Sequence, residues 1–153
     1  MSESKNASFA PYLCVNDAAR AIDFYTQAFG AVEQFRIGEP GQKIGHAELL
    51  INGNMLMLSD EFPEMGGKSA ATLGGSPVTL CLIVDDVDAV AARAVAAGAK
   101  VRRAVENQFY GHRGGLFEDP FGHLWWVATE IEQVSPEEMK RRAAELFGGS
   151  QSS

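Results

Sequence analysis

The chain has 153 residues, 46% of them hydrophobic and 22% charged, with a net charge of −7. That is long enough for one domain with a real core, and no apolar run approaches the roughly 20 residues of a membrane span. No basic stripe marks a nucleic-acid surface, and the start Met1-Ser2-Glu3-Ser4-Lys5-Asn6 lacks an apolar signal core, so a cytoplasmic protein that meets neither nucleic acid nor membrane is expected.

Residues 9–15 read as a strand. Asp17 offers a helix N-cap, and Ala18, Ile22, Tyr25 and Phe29 then mark one buried stripe that Gly30 ends. Residues 31–37 read as a second strand, and Gly38-Glu39-Pro40-Gly41 as a turn. Residues 43–51 and 54–59, joined by Asn52-Gly53, form a predicted hairpin, because Asn-Gly suits a type I′ turn. Residues 60–77 show no convincing period and read as a linker or lid.

The order then repeats: a strand over 78–84, an Asp86-capped helix with Val87, Val90, Ala94 and Ala97 on one face, and strands over 100–107, 111–118 and 123–131. Ser135-Pro136-Glu137-Glu138 starts a final helix, over 135–147, whose apolar positions are Met139, Ala143 and Leu146.

The repetition is quantitative. Asp17 and Asp86 lie 69 positions apart, and so do Gly53-Asn54-Met55-Leu56-Met57 and Gly122-His123-Leu124-Trp125-Trp126. A unit this long, occurring twice, implies two paired half-domains rather than a solenoid, with a cleft between them. The expected organisation is one domain over 1–153, with module one at about 8–60, a linker at 61–76 and module two at about 77–131.

Side chains alternate faces along a strand. Pro11, Leu13 and Val15, with Leu80, Leu82 and Val84, form the aliphatic face that helices should cover. The opposite face carries Ala10, Tyr12 and Cys14, matched by Thr79, Cys81 and Ile83. With the Met55/Met57 and Leu124/Trp126 alternations of the last strands, it reads as a cavity lining. Cys14 and Cys81 are too few for a disulfide framework and read as small buried hydrophobes. Gly114-Gly115 and Gly66-Gly67 read as flexible points.

Three histidines and one carboxylate carry the candidate chemistry. His46 and Glu48, two apart on one strand, share a face; His112 lies on the corresponding strand of the second half, beside Arg113. If they converge they could act as a general acid/base cluster or hold Zn²⁺; otherwise Glu48 should pair with Arg113 or a lysine. His123 follows the Pro-Phe-Gly turn and reads as structural.

The segments Tyr12-Leu13-Cys14-Val15-Asn16-Asp17, Ala21-Ile22-Asp23-Phe24-Tyr25 followed by Phe29-Gly30, and Glu118-Asp119-Pro120-Phe121-Gly122-His123 resemble the vicinal oxygen chelate superfamily. That group includes glyoxalase I, extradiol dioxygenases, fosfomycin resistance enzymes and bleomycin resistance proteins. His46-Ala47-Glu48-Leu49, Met57-Leu58-Ser59-Asp60 and Tyr110-Gly111-His112-Arg113 resemble its PhnB-like branch. The resemblance implies an α+β fold of two βαβββ modules forming an eight-stranded, cup-shaped mixed sheet, with the C-terminal helix added. It also implies metal ligands at Ala10, Met57, Thr79 and Trp126, and none of these four is a credible ligand for a hard divalent cation.

The expectation is therefore a small-molecule binding homodimer, taking an antibiotic or metabolite without a cofactor, with Tyr12, His46, Glu48, Met57, Arg113 and Trp126 contacting the ligand. The alternative is a glyoxalase-type lyase or isomerase, with His46 and Glu48 catalytic and a displaced Zn²⁺ or Ni²⁺ on His46, Glu48 and His112.

Overall fold

The computed structural model describes residues 8–148. Module one runs β1 (Tyr12–Val15), α1 (Ala18–Phe29), β2 (Val32–Ile37), β3 (His46–Ile51) and β4 (Asn54–Asp60). After a linker bearing the short α2 (Ala70–Leu73), module two repeats the order as β5 (Thr79–Ile83), α3 (Val87–Ala97), β6 (Lys100–Asn107), β7 (His112–Glu118) and β8 (Leu124–Glu130). A last helix, α4 (Pro136–Ala143), follows.

The repeat extends to individual hydrogen bonds. Asp17 Oδ1 accepts from Arg20 N and Asp86 Oδ1 from Ala89 N, each at 3.2 Å, so both long helices start on the same aspartate cap. The first helical amide is also met from the last strand of its own module. Ala18 N donates to Asp60 Oδ1 and Val87 N to Thr129 Oγ1, both at 2.8 Å and again 69 residues apart. A carboxylate in one half and a hydroxyl in the other satisfy the same orphan donor.

Each module forms its own four-stranded sheet, ordered β1-β4-β3-β2 and β5-β8-β7-β6. The first strand runs parallel to the last and the remaining pairings are antiparallel. The eight strands thus divide between two open mixed sheets. Asn52 and Gly53 have φ of 50° and 80°, the pair of left-handed conformations that a type I′ hairpin requires.

Leu13, Val15, Leu49 and Leu58 of the first sheet, and Leu82, Phe117, Trp125 and Val127 of the second, are buried in one core with both long helices. Phe29 of α1 lies 4.7 Å, centroid to centroid, from Trp125 of β8, and α1 packs directly on α3. The aliphatic face foreseen for the core is therefore the face that both sheets turn inward. At about 1.5–3 kcal/mol for each large side chain, this shared burial is the main stabilising term. A second tie is Asp119, only 3% exposed. It accepts from Tyr25 Oη (2.5 Å), Trp125 Nε1 (3.0 Å), Phe121 N (2.9 Å) and His123 N (3.0 Å), joining α1 to the β7–β8 turn.

Two boundaries differ from the sequence reading. The first strand begins at Tyr12, leaving Phe9 exposed. The linker is not structureless: Pro63–Met65 makes one tight turn, and buried Ser69 caps α2 by accepting from Thr72 N. Four residues are too few to display a helical period. Among the described residues, no helix is long and apolar enough to cross a membrane.

Candidate functional site

Because both sheets bury the helix-side face, their other faces open outward, and the candidate residues other than Arg113 lie there. On sheet one, Tyr12, Met57 and Glu48 stand side by side across β1, β4 and β3, since Tyr12 pairs with Met57 and Met57 with Glu48. His46 precedes Glu48 by two on the same face, and Ile37 and Phe35 of β2 flank the pair. The face is apolar and accessible: Tyr12 is 50%, Phe35 45% and Ile37 60% exposed.

Three of these groups form a hydrogen-bonded chain. His46 Nε2 lies 2.9 Å from Glu48 Oε2, and Tyr12 Oη lies 2.7 Å from His46 Nδ1. The phenol reaches across β4 over Met57 to do so, and the Phe35 ring sits 5.7 Å from the imidazole. Glu48 thus finds its partner in His46, not in Arg113 or a lysine. Beside Tyr12, a cavity of about 460 Å³ runs along β1 under the linker, lined by Pro11, Cys14, Lys68, Leu73 and His123 among others. His123 Nε2 donates to Cys14 O at 3.1 Å, a contact between the modules.

Sheet two presents Trp126 on its open face. The indole lies over β7 at Gly114: a Cβ on that glycine would stand 2.8 Å from Trp126 Cζ2 and 2.9 Å from Cε2. Only glycine permits this approach, and a Cβ on Gly115 would stand 2.9 Å from the Arg103 carbonyl oxygen, so the pair, read as flexible points, is a packing requirement on two sides. The signal was available, since glycine inside a strand pattern marks close approach. Tyr110, in the loop before β7, stacks edge-on to His112 with centroids 5.4 Å apart. Its phenol pKa is raised by burial first and then by the Cys81 thiol, while the Arg103 guanidinium opposes the shift. From the sequence neither Tyr110 nor Gly114 was expected among the residues that shape the open face. Cys81 is exposed on this face and Cys14 half-buried, so the two are not the buried hydrophobes expected. Burial raises both thiols, and Cys14 further by the charges of Glu61 and Asp60.

Arg113 does not belong to either open face. It pairs in register with Thr129, whose hydroxyl meets the start of α3, and its guanidinium binds Asp88 (2.9 and 3.1 Å) and Asn107 (3.0 Å). Adjacent residues on a strand point to opposite faces, so being next to His112 placed Arg113 on the helix side. The combination of His46, Glu48 and His112 is also not assembled within one chain. The first two lie on sheet one and the third on sheet two, and no group of three or more His, Cys, Asp or Glu side chains among the described residues could hold a metal.

The positions at which the resemblance implies metal ligands bear Ala10, Met57, Thr79 and Trp126. Alanine has no donor atom, indole nitrogen only donates a hydrogen, thioether sulfur is soft, and a lone threonine hydroxyl is weak. This set does not fit a hard divalent cation. What the open faces offer is stacking surface, thioether contact and one polar chain.

The family model described as the Glyoxalase/Bleomycin resistance protein/Dioxygenase superfamily matches residues 7–127. The uncharacterized protein Rv0887c of Mycobacterium tuberculosis is 47% identical over 143 residues, covering 92% of this chain and 84% of that protein. The uncharacterized protein At5g48480 of Arabidopsis thaliana is 32% identical over 127 residues (78% and 75%). Its crystal structure matches with a TM-score of 0.64 over 80% of this chain and 98% of its own. TioX from Micromonospora sp. ML1 matches with a TM-score of 0.65 at 26% identity, over 82% and 100%.

Proposed function

Since this chain belongs to the glyoxalase/bleomycin resistance protein/dioxygenase superfamily, whose members bind small molecules, we propose that it is a metal-independent binding protein for an antibiotic or metabolite and works as a homodimer. Trp126, whose indole stands over Gly114 on the open face of sheet two, carries this reading. An indole held against a strand and left partly exposed there is a platform for a planar ring. Stacking on such a platform needs no metal and suits the residue types around it.

The outward direction of both open faces supports the dimer. One chain offers two separate linings, each apolar and partly exposed, and an exposed apolar patch is a contact surface. Setting sheet one of one copy against sheet two of another would enclose two equivalent sites. Each would hold Trp126 from one copy opposite Tyr12, His46, Glu48 and Met57 from the other. Sedimentation velocity should give a dimer, and mass spectrometry of gently purified protein should identify a copurifying aromatic molecule. Gly114→Val should lift the indole and weaken binding of planar ligands by roughly tenfold or more, with far-UV circular dichroism unchanged. Unaltered affinity in that variant would remove the stacking platform.

A second reading, a lyase or isomerase of glyoxalase type, is favoured by the Glu48–His46–Tyr12 chain, an arrangement suited to general acid/base work. Stoichiometric Zn²⁺, Ni²⁺ or Mn²⁺ that is lost in His46→Ala would support it over the first.

A further inference from the structure

The hydrogen-bonded chain on sheet one has a polarity that can be worked out from donor counting. A carboxylate only accepts, so the His46 nitrogen 2.9 Å from Glu48 is the one that bears hydrogen, Nε2. In a neutral imidazole the other nitrogen, Nδ1, is then an acceptor. Tyr12 Oη lies 2.7 Å from Nδ1 and must donate its single hydrogen inward. The phenol oxygen of Tyr12, a residue half exposed on the open face, is left with lone pairs alone for whatever arrives there.

We propose that the Glu48–His46–Tyr12 chain makes sheet one a selector for ligands that carry a hydrogen-bond donor beside a planar ring. The donor can be a hydroxyl, a ring N–H or an ammonium group. This rests on the reading of the open faces as the walls of an aromatic binding site and adds the chemistry of the ligand's edge. A ligand carbonyl or ether oxygen at Tyr12 would meet lone pair against lone pair. Phe35 and Met57 flank the same spot and hold a ring in place without distinguishing donors from acceptors. Tyr12 is the contact; His46 and Glu48 are positioning residues that set which way its hydrogen points. The chain's anionic end and the protein's net charge of −7 act in the same direction, toward donors.

Two measurements test this. Protein labelled with ¹⁵N-histidine, at about pH 8.5 and so roughly two units above the ordinary imidazole pKa, should show His46 as the Nε2–H tautomer. The Glu48→Gln variant, whose amide can meet either tautomer, should show a mixture. Indole and benzofuran, nearly identical in shape, serve as probes: the first offers an N–H donor and the second only a ring oxygen. Calorimetric titration should show indole bound roughly tenfold more tightly by the wild type. Tyr12→Phe should bring the two probes to parity while leaving benzofuran binding in place, and Glu48→Gln should narrow the gap.

Equal binding of both probes by the wild type, a preference that survives Tyr12→Phe, or a pure Nδ1–H tautomer would each overturn the proposal. Should neither probe bind, the aromatic-site reading falls and the ligand assignment with it. The tautomer separates that outcome, because it reports the direction of the chain with no ligand present.

Discussion

Tyr25 shows what one buried hydroxyl does here. Its ring is enclosed by Phe24, Phe29, Phe121 and Trp125, and its hydroxyl donates to the Asp119 carboxylate at 2.5 Å. Burial first, and then the charge of Asp119, push its pKa well above the ordinary phenol value. The folded state therefore keeps the proton more tightly than the unfolded chain. The resulting stability is fully present below about pH 10, the unfolded phenol value, and is lost as pH rises beyond it. Tyr25→Phe should lower the unfolding free energy by about 1–2 kcal/mol at pH 7, since Asp119 keeps three other donors. Above pH 10 the gap between variant and wild type should close, as followed by urea midpoints. A constant gap would show that the phenol is not the titrating group.

Among the elements, α4 is held by charge rather than by burial. Arg142 bonds Glu138 (2.8 Å), Glu132 (3.0 and 2.9 Å) and the carbonyl of Phe109 (2.9 Å), so the helix braces the loop that carries Tyr110. Hydrogen bonds from Arg141 and Arg142 hold Glu138 at a pKa of about 2, and Arg142 also lowers Glu132. Both carboxylates are depressed in the folded state, so this bracing is intact above the ordinary carboxylate range and weakens as pH falls toward 2. Arg142→Gln should speed amide hydrogen exchange in residues 108–111 and 136–148 while the midpoint of global unfolding barely moves. Slow exchange retained in the variant would show that the loop is held by something else.

The element scale is also where the sequence was most legible. Aspartate caps, glycine stops and the Asn52-Gly53 turn are local signals, and each sits where its chemistry required. Alternation likewise separated the buried face from the accessible one, as Leu13 and Val15 against Tyr12 show. Alternation is relative, however. Arg113 and His112 were taken together because they are neighbours in sequence, and a strand sends neighbours apart. The short α2 fell below the length at which periodicity speaks. Glycine within a strand marked a close approach, but that Trp126 is the side chain seated on Gly114 emerges only once β7 and β8 are in register.

At the scale of the whole molecule, the duplicated halves are bound through a common interior, and in the proposed dimer each site would be the property of two chains. Its consequence is genetic. A chain damaged at Tyr12 would still own a sound Trp126 wall, and a chain damaged at Trp126 would still own a sound Tyr12 wall. Unfolded together and refolded as an equal mixture, Tyr12→Phe and Trp126→Ala chains should regain wild-type affinity for indole in about a quarter of all sites, by random pairing of chains in twofold dimers. Neither parent alone should show any such sites in the same titration. Two defective alleles would then complement each other inside one assembly, whereas a site built within a single chain would leave the mixture as impaired as its parents.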